Sequence, residues 1–116
     1  MSIRRWELYR AALDPVIGSE QGKTRPVLVV SDDYMNDLLR VVNVLPLTSR
    51  KPGRRIYPNE ALLPAGIGGL SNESVVLAYQ IRTLDKQRLT TRYGAIHETA
   101  IRAEIIAALK FQLRLL

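Results

Sequence analysis

Hydrophobic positions come in short runs set off by Gly, Pro, Asp and Asn, and most of these runs are too short for helices. Trp6 to Leu13 mixes Trp6, Leu8, Tyr9, Ala11 and Leu13 with polar residues and predicts a first strand, ended by Asp14-Pro15. Val27-Leu28-Val29-Val30 is unbroken and predicts a second strand, buried on both faces. Asp32 to Asp37 reads as a loop or a single helical turn. Arg40 to Leu47, rich in β-branched residues, predicts a third strand that closes on Thr48-Ser49. Ile56-Tyr57 reads as a short fourth strand. The stretch 58–72, punctuated by Pro64, Gly66, Gly68 and Gly69, reads as loop. Ser74 to Tyr79 resumes the extended pattern, Gln80 to Leu84 continues it after a bend, and Arg88 to Tyr93 is a last strand broken by Gly94. From about His97 the period changes. Ile101, Ile105, Leu109, Leu113 and Leu116 recur every three or four residues and predict a helix, with Thr99 as its N-cap and Glu98 paired to Arg102 one turn on. The expected fold is mainly β with α: a small, partly open barrel carrying one C-terminal α-helix.

Composition narrows the chemistry. A chain of 116 residues suits one domain over 1–116, and its net charge of +6 favours polyanionic partners, nucleic acid first. There is no cysteine, which excludes disulfide scaffolds, thiolate nucleophiles and cysteine-based zinc sites. His97 is the only histidine, so a two-histidine ribonuclease mechanism and a multi-histidine metal site are ruled out; His97 itself reads as structural or solvated. Asp14, Glu20, Asp32 and Asp33 lack metal-ligand spacing, and no metal or other cofactor is expected. Met1 to Trp6 has no apolar stretch behind its charges, and no run approaches the roughly 20 residues that span a bilayer. The expectation is a soluble, cytoplasmic protein without a membrane partner.

One stretch remains unexplained by folding alone. Gly18-Ser19-Glu20-Gln21-Gly22-Lys23-Thr24 is a polar loop that ends on Arg25-Pro26 at the mouth of the Val27 run. Glycines let such a loop bend and expose its amides, and Pro26 pushes Arg25 towards extended geometry. Gly22-Lys23-Thr24 mimics the end of a phosphate-binding P-loop, but the rest of that motif is absent and the strand follows the loop instead of preceding it. If the second and third strands are antiparallel neighbours, Arg25 and Thr48 meet at one edge of the sheet. A guanidinium, a hydroxyl and loop amides then surround a phosphate and stabilise developing negative charge. The competing reading pairs Arg25 with Glu20 or Asp32 and makes Thr48 a turn cap. The residues alone leave the two level.

Leu13-Asp14-Pro15, the block from Gly18 to Ser31, Leu45-Pro46-Leu47-Thr48-Ser49 and the block from Gln80 to Leu89 resemble, in order, the signature blocks of the MazF/PemK toxins. The resemblance covers essentially the whole chain. It implies the toxin of a type II toxin–antitoxin pair, a homodimeric SH3-like β-barrel of the CcdB/MazF type, and a metal-independent endoribonuclease that cuts single-stranded RNA at short sequences. It implies Arg25 and Thr48 as the catalytic pair. It also implies RNA contacts from Ser19, Glu20, Gln21, Lys23, Thr24, Ser49, Tyr79 and Gln80.

In that chemistry the substrate's own 2′-hydroxyl attacks, leaving a 2′,3′-cyclic phosphate and a 5′-hydroxyl. Arg25 neutralises the phosphorane, Thr48 donates to a phosphate oxygen, and the general base is unassigned, with Glu20 one candidate. Lys23 holds a flanking phosphate, and the Arg50–Arg55 run either does the same or is a solvated charged loop. The implied partners are single-stranded RNA, a second copy of the chain, and a MazE-like antitoxin laying a flexible acidic segment in the groove. Two features depart from the family pattern: Arg4-Arg5 precede Trp6, where relatives often carry Gly-Asp or Gly-Glu, and Tyr79 stands where some carry an acid. A tyrosine there suits stacking on a base. The rival expectations are a toxin of the same fold that binds DNA gyrase without cutting, and an inactive member that only binds nucleic acid or a partner.

Overall fold

The Val27–Val29 run lies in the middle of a seven-stranded antiparallel sheet, completely buried on both faces. The structure, a computed structural model, describes residues 2–116, so Met1 lies outside the described residues. The strands are β1 (Glu7–Ala12), β2 (Thr24–Val29), β3 (Val41–Ser49), β4 (Glu60–Leu63), β5 (Ser74–Leu77), β6 (Arg82–Asp85) and β7 (Leu89–Ala95). Two helices, α1 (Asp33–Leu38) and α2 (Thr99–Leu113), complete the fold. The strand order is β4-β5-β3-β2-β1-β7, with β6 also paired to β3. The end strands β4 and β7 do not pair with each other, so the sheet stays open and "barrel" describes it only loosely.

Alternation along the strands sorts the apolar residues onto two faces. Leu8, Leu28, Leu45, Leu47 and Val76 face α2, where Ile105 and Ala108 pack on them. Tyr9, Ala11, Val27, Val29, Val42, Val44 and Leu84 form a second cluster, which the strands bury by wrapping around it, with no helix residue among them. Ile101 and Leu109 join the α2 contact as predicted, but Leu113, the last residue of α2, and Leu116, beyond its end, are exposed. No helix among the described residues is long and apolar enough to cross a membrane.

Several expected boundaries shift. Ile56-Tyr57 is not a strand; the fourth strand is Glu60–Leu63, inside the stretch read as loop, where it pairs with β5. The Asp32–Asp37 segment is a short helix whose N-cap Asp32 accepts from the Tyr34 amide. Thr48 and Ser49 do not close β3 but remain in it, paired with Val75 and Ser74. Gly94 does not end the last strand: it pairs with Leu8 inside β7. The N-cap of α2 is Glu98, not Thr99, and it makes no side-chain cap bond. Glu98 accepts from the His97 amide while Arg102 donates to the Ile96 carbonyl, so the expected Glu98–Arg102 pair is absent. His97 is exposed.

The bend before Gln80 has a visible cause. On one edge β3 pairs with β5 through Leu47–Ser49 and with β6 through Val41–Val44, skipping Leu45 and Pro46. Proline has no amide proton to donate to a ladder. A single 3-10 turn, Ala78-Tyr79-Gln80, bridges the gap and projects Tyr79 and Gln80 from the sheet.

Candidate active site

The cross-strand register places the two expected catalytic residues at the same end of neighbouring strands. β2 and β3 are antiparallel, with Val27 opposite Pro46 and Val29 opposite Val44. Continued by two residues, that register sets Arg25 across from Thr48. Arg25 also pairs with Ala11, a member of the wrapped cluster, and so lies on the same face as Val27 and Val29. Thr48 lies on the same face as Val42 and Val44 by the period of two. Both residues therefore sit where the wrapped apolar face runs out and polar side chains replace valines. The Thr48 hydroxyl has no partner among the described residues, so it is neither a turn cap nor a core hydrogen bond.

Arg25 pairs with neither Glu20 nor Asp32. Its Nε donates to the Gly22 carbonyl at 2.8 Å. The Gln21 amide presents its oxygen to the same guanidinium, 2.8, 3.0 and 3.1 Å from Nε, Nη1 and Nη2; the opposite orientation would set NH2 against cationic donors. The Gly22 carbonyl thus takes Nε and the Gln21 amide lies over the face of the guanidinium, two neutral groups at a cation that suits an anion.

The loop itself is folded, not loose. Leu13 N–H donates to the Lys23 carbonyl and Lys23 N–H to Asp14 Oδ1, with Lys23 in the left-handed region at φ 63°. Glu20 Oε1 accepts from the Ile17 amide at 2.7 Å. Gln80 clamps the loop from across the sheet: its Oε1 accepts from Gln21 N–H at 3.2 Å and its Nε2 donates to the Ser19 carbonyl at 3.0 Å. Lys23 and Thr24 are exposed, and Lys23 makes no ion pair among the described residues.

Two clefts flank this point. One, of about 410 Å³, is lined by Gln21, Thr48, Ser49, Lys51, Arg54 and Tyr79, with Leu77 as its floor. The other, of about 250 Å³, gathers Glu20, Gln21, Tyr79, Gln80 and Arg82. Ser19, Glu20, Gln21, Ser49, Tyr79 and Gln80 are thus brought around one locality, while Lys23 and Thr24 stand at its rim next to Arg25. Among the described residues no group of His, Asp and Glu side chains is arranged to hold a metal ion.

Sequence reasoning missed how the basic run is built. Arg54 is not solvated. Its Nη1 and Nη2 donate to Glu60 at 3.0 and 2.8 Å, and the Glu60 side chain is only 3 % exposed. Arg50 reaches the Arg54 carbonyl and Glu73. The Arg54 guanidinium holds the Glu60 carboxyl below the usual carboxylate range; burial opposes this and the Tyr57 amide adds to it. A carboxylate with a lowered folded value stabilises the fold above its ordinary value, and that contribution disappears as pH falls through the folded one. Unfolding free energy is therefore expected to drop as pH falls below about 4.5, the ordinary value. Denaturant titrations between pH 6 and 3 should show a steeper drop than in a Glu60→Gln variant. Identical pH slopes would refute this role for the pair.

The sequence model of PemK-like, MazF-like toxins of type II toxin–antitoxin systems matches residues 4–113. The chain belongs to this family. It is 40% identical over 92 residues to endoribonuclease EndoA of Bacillus subtilis, covering 79% of this chain and 78% of that one. The crystal structure of MazF from Deinococcus radiodurans superposes with a TM-score of 0.81 at 32% identity, covering 98% of each chain. A mycobacterial endoribonuclease solved in complex with its cognate antitoxin gives a TM-score of 0.79 at 26% identity, covering 98% and 97% of the two chains.

Proposed function

We propose that this chain is the toxin of a type II toxin–antitoxin pair and a metal-independent endoribonuclease that cleaves single-stranded RNA. The observation that supports the reading is that Arg25 and Thr48 lie on one face at the same end of neighbouring antiparallel strands, with neutral loop groups as the guanidinium's partners. A scissile phosphate displaces the Gln21 oxygen and takes the guanidinium. The substrate's 2′-oxygen attacks phosphorus and its proton passes to a base, then the P–O5′ bond breaks and the departing 5′-oxygen takes a proton from Arg25, which solvent restores, leaving a 2′,3′-cyclic phosphate and a 5′-hydroxyl. Arg25 stabilises the charge of the phosphorane and Thr48 donates to a non-bridging oxygen. Glu20 lines the neighbouring cleft and remains the candidate base. Lys51 in the Thr48 cleft and the exposed Lys23 beside Arg25 attract the flanking phosphates.

The same reading carries a homodimer and a MazE-like antitoxin. Exposed Tyr34, Leu38 and Leu39 and the Leu113–Leu115 end of α2 offer apolar surface to a second copy. A flexible acidic segment suits the basic groove and would compete with RNA for Arg25.

Incubating the protein with a long single-stranded RNA in excess EDTA tests the reaction. Cutting is expected to persist, to yield fragments with cyclic phosphate ends, and to stop when the nucleotide 5′ of the cut is 2′-deoxy. Cutting that EDTA abolishes, or that a 2′-deoxy substrate still undergoes, would refute the mechanism.

A further inference from the structure

We infer that the hollow between Arg54, Tyr57, Asn59 and Tyr79 seats an RNA base flanking the cut, and that Tyr57 and Asn59 set the enzyme's preference at that position. The inference rests on the RNA-cleaving reading above. The hollow has a volume of about 400 Å³ and adjoins the Thr48 cleft, with Arg54 and Tyr79 forming walls of both. Chain leaving the cleft past Arg54 therefore enters it directly. Its character differs from that of the cleft: Tyr57, Pro58, Tyr79 and Phe111 make it mainly aromatic and apolar, with Glu60 in its wall already paired to Arg54, whereas Gln21, Thr48, Ser49 and Lys51 make the cleft mainly polar. Phosphates belong in the second and a base in the first.

An unstacked base needs an aromatic surface to replace its lost neighbours. Tyr57 is 51% exposed and Tyr79 42%. Tyr57 is held in place, since its amide donates to the buried Glu60 carboxylate at 3.0 Å. The polar atoms are also pre-set. Arg54 spends Nη1 on Glu60 and the Arg55 carbonyl and one Nη2 hydrogen on Glu60, which leaves Nε–H and the second Nη2 hydrogen as donors. Asn59 gives one Nδ2 hydrogen to Gln112 Oε1 at 3.1 Å, which leaves Oδ1 as an acceptor and the other hydrogen as a donor. Fixed donors and an acceptor at the edge of an aromatic slot read a base edge, where stacking alone would accept any base. The Arg55 guanidinium, 5.2 Å from the centroid of the Tyr57 ring, adds a cation beside it.

The test compares the wild type with Tyr57→Ala, Tyr57→Phe and Asn59→Ala on a randomised single-stranded RNA, sequencing the fragment ends. Tyr57→Ala is expected to raise KM about tenfold with kcat within threefold, and to flatten base preference at one position flanking the cut. Tyr57→Phe keeps the ring face and should restore KM. Asn59→Ala should relax preference at the same position with a smaller change in KM. An unchanged cleavage profile in Tyr57→Ala, or a loss confined to kcat, would overturn the inference. A second readout does not depend on cutting: 2-aminopurine placed at successive positions of an RNA bound to the Arg25→Ala protein should be quenched at one position, and Tyr57→Ala should remove that quenching. If wild type cuts no RNA, the catalytic reading fails and this quenching still decides the pocket. Absence of any Tyr57-dependent quenching would mean the hollow serves another occupant, such as a side chain of the antitoxin.

Discussion

Replacing Arg25 with lysine is expected to slow RNA cleavage by about 10³-fold, because a charge at this position is not enough. The Arg25 guanidinium presents its donors in a rigid planar fork, oriented by the 2.8 Å bond from Nε to the Gly22 carbonyl. Two neighbouring oxygens of a phosphorane match that fork. Lysine keeps the charge but presents it as a compact, strongly hydrated ammonium on a flexible stem, without the planar fork. Folding should be little affected: Arg25 is only half-buried, and its partners are carbonyls that water can satisfy. Single-turnover rates on a saturating RNA, set beside thermal melts, separate the two effects. A lysine variant that cuts within tenfold of wild type would show that Arg25 acts as a screening charge. A large drop in melting temperature would show that it acts on the fold.

The readable and unreadable parts of the chain differ in how far apart the deciding residues lie. Val27–Val29 announces a central strand on its own, and Arg25 inherits its position from being attached to it. The placement of Thr48 at the same end follows from the alternating pattern of β3, because a one-residue slip would turn Val42 and Val44 out of the face they share with Val27 and Val29. Gln80 is different. Its clamp on Ser19 and Gln21 spans about sixty residues of sequence and depends on the 3-10 turn that Pro46 permits on the neighbouring strand. Arg54 and Glu60 were missed for another reason. β4 has only four residues, amid Pro64, Gly66, Gly68 and Gly69, so it shows no measurable period and reads as loop. Its burial comes from pairing with β5, a tertiary contact. Once β4 is placed, Glu60 lies in an apolar layer and must take a cation, and Arg54 turns from a solvated charge into a wall of the cleft.

Gly94→Ala is expected to destabilise the protein by about 3 kcal/mol, at the upper end for overpacking, and to lower the melting temperature by about 10 °C. The sequence marks Gly94 as a strand breaker, but its backbone is not left-handed and it pairs inside β7. What it supplies is room. A Cβ on Gly94 would fall 2.7 Å from the Gly68 carbonyl oxygen and 2.8 Å from its carbon, where the Ile67–Gly69 turn lies against the strand. These are backbone atoms and cannot rotate away, so the turn and the strand must part. Gly53→Ala is the matched control: it has φ of +74° with open space around it and should cost about 1 kcal/mol from backbone conformation alone. Gly94 pairs with Leu8, three residues along β1 from the Ala11 that faces Arg25, so strain there enters the helix-covered core rather than the catalytic end. The folded fraction of the Gly94→Ala protein should therefore cut RNA at the wild-type rate well below its melting point. A melting temperature within 2 °C of wild type, a shift of less than about 1 kcal/mol, would mean that the two backbones are not in contact. Lost cleavage in fully folded protein would mean that the turn under β7 communicates with the site.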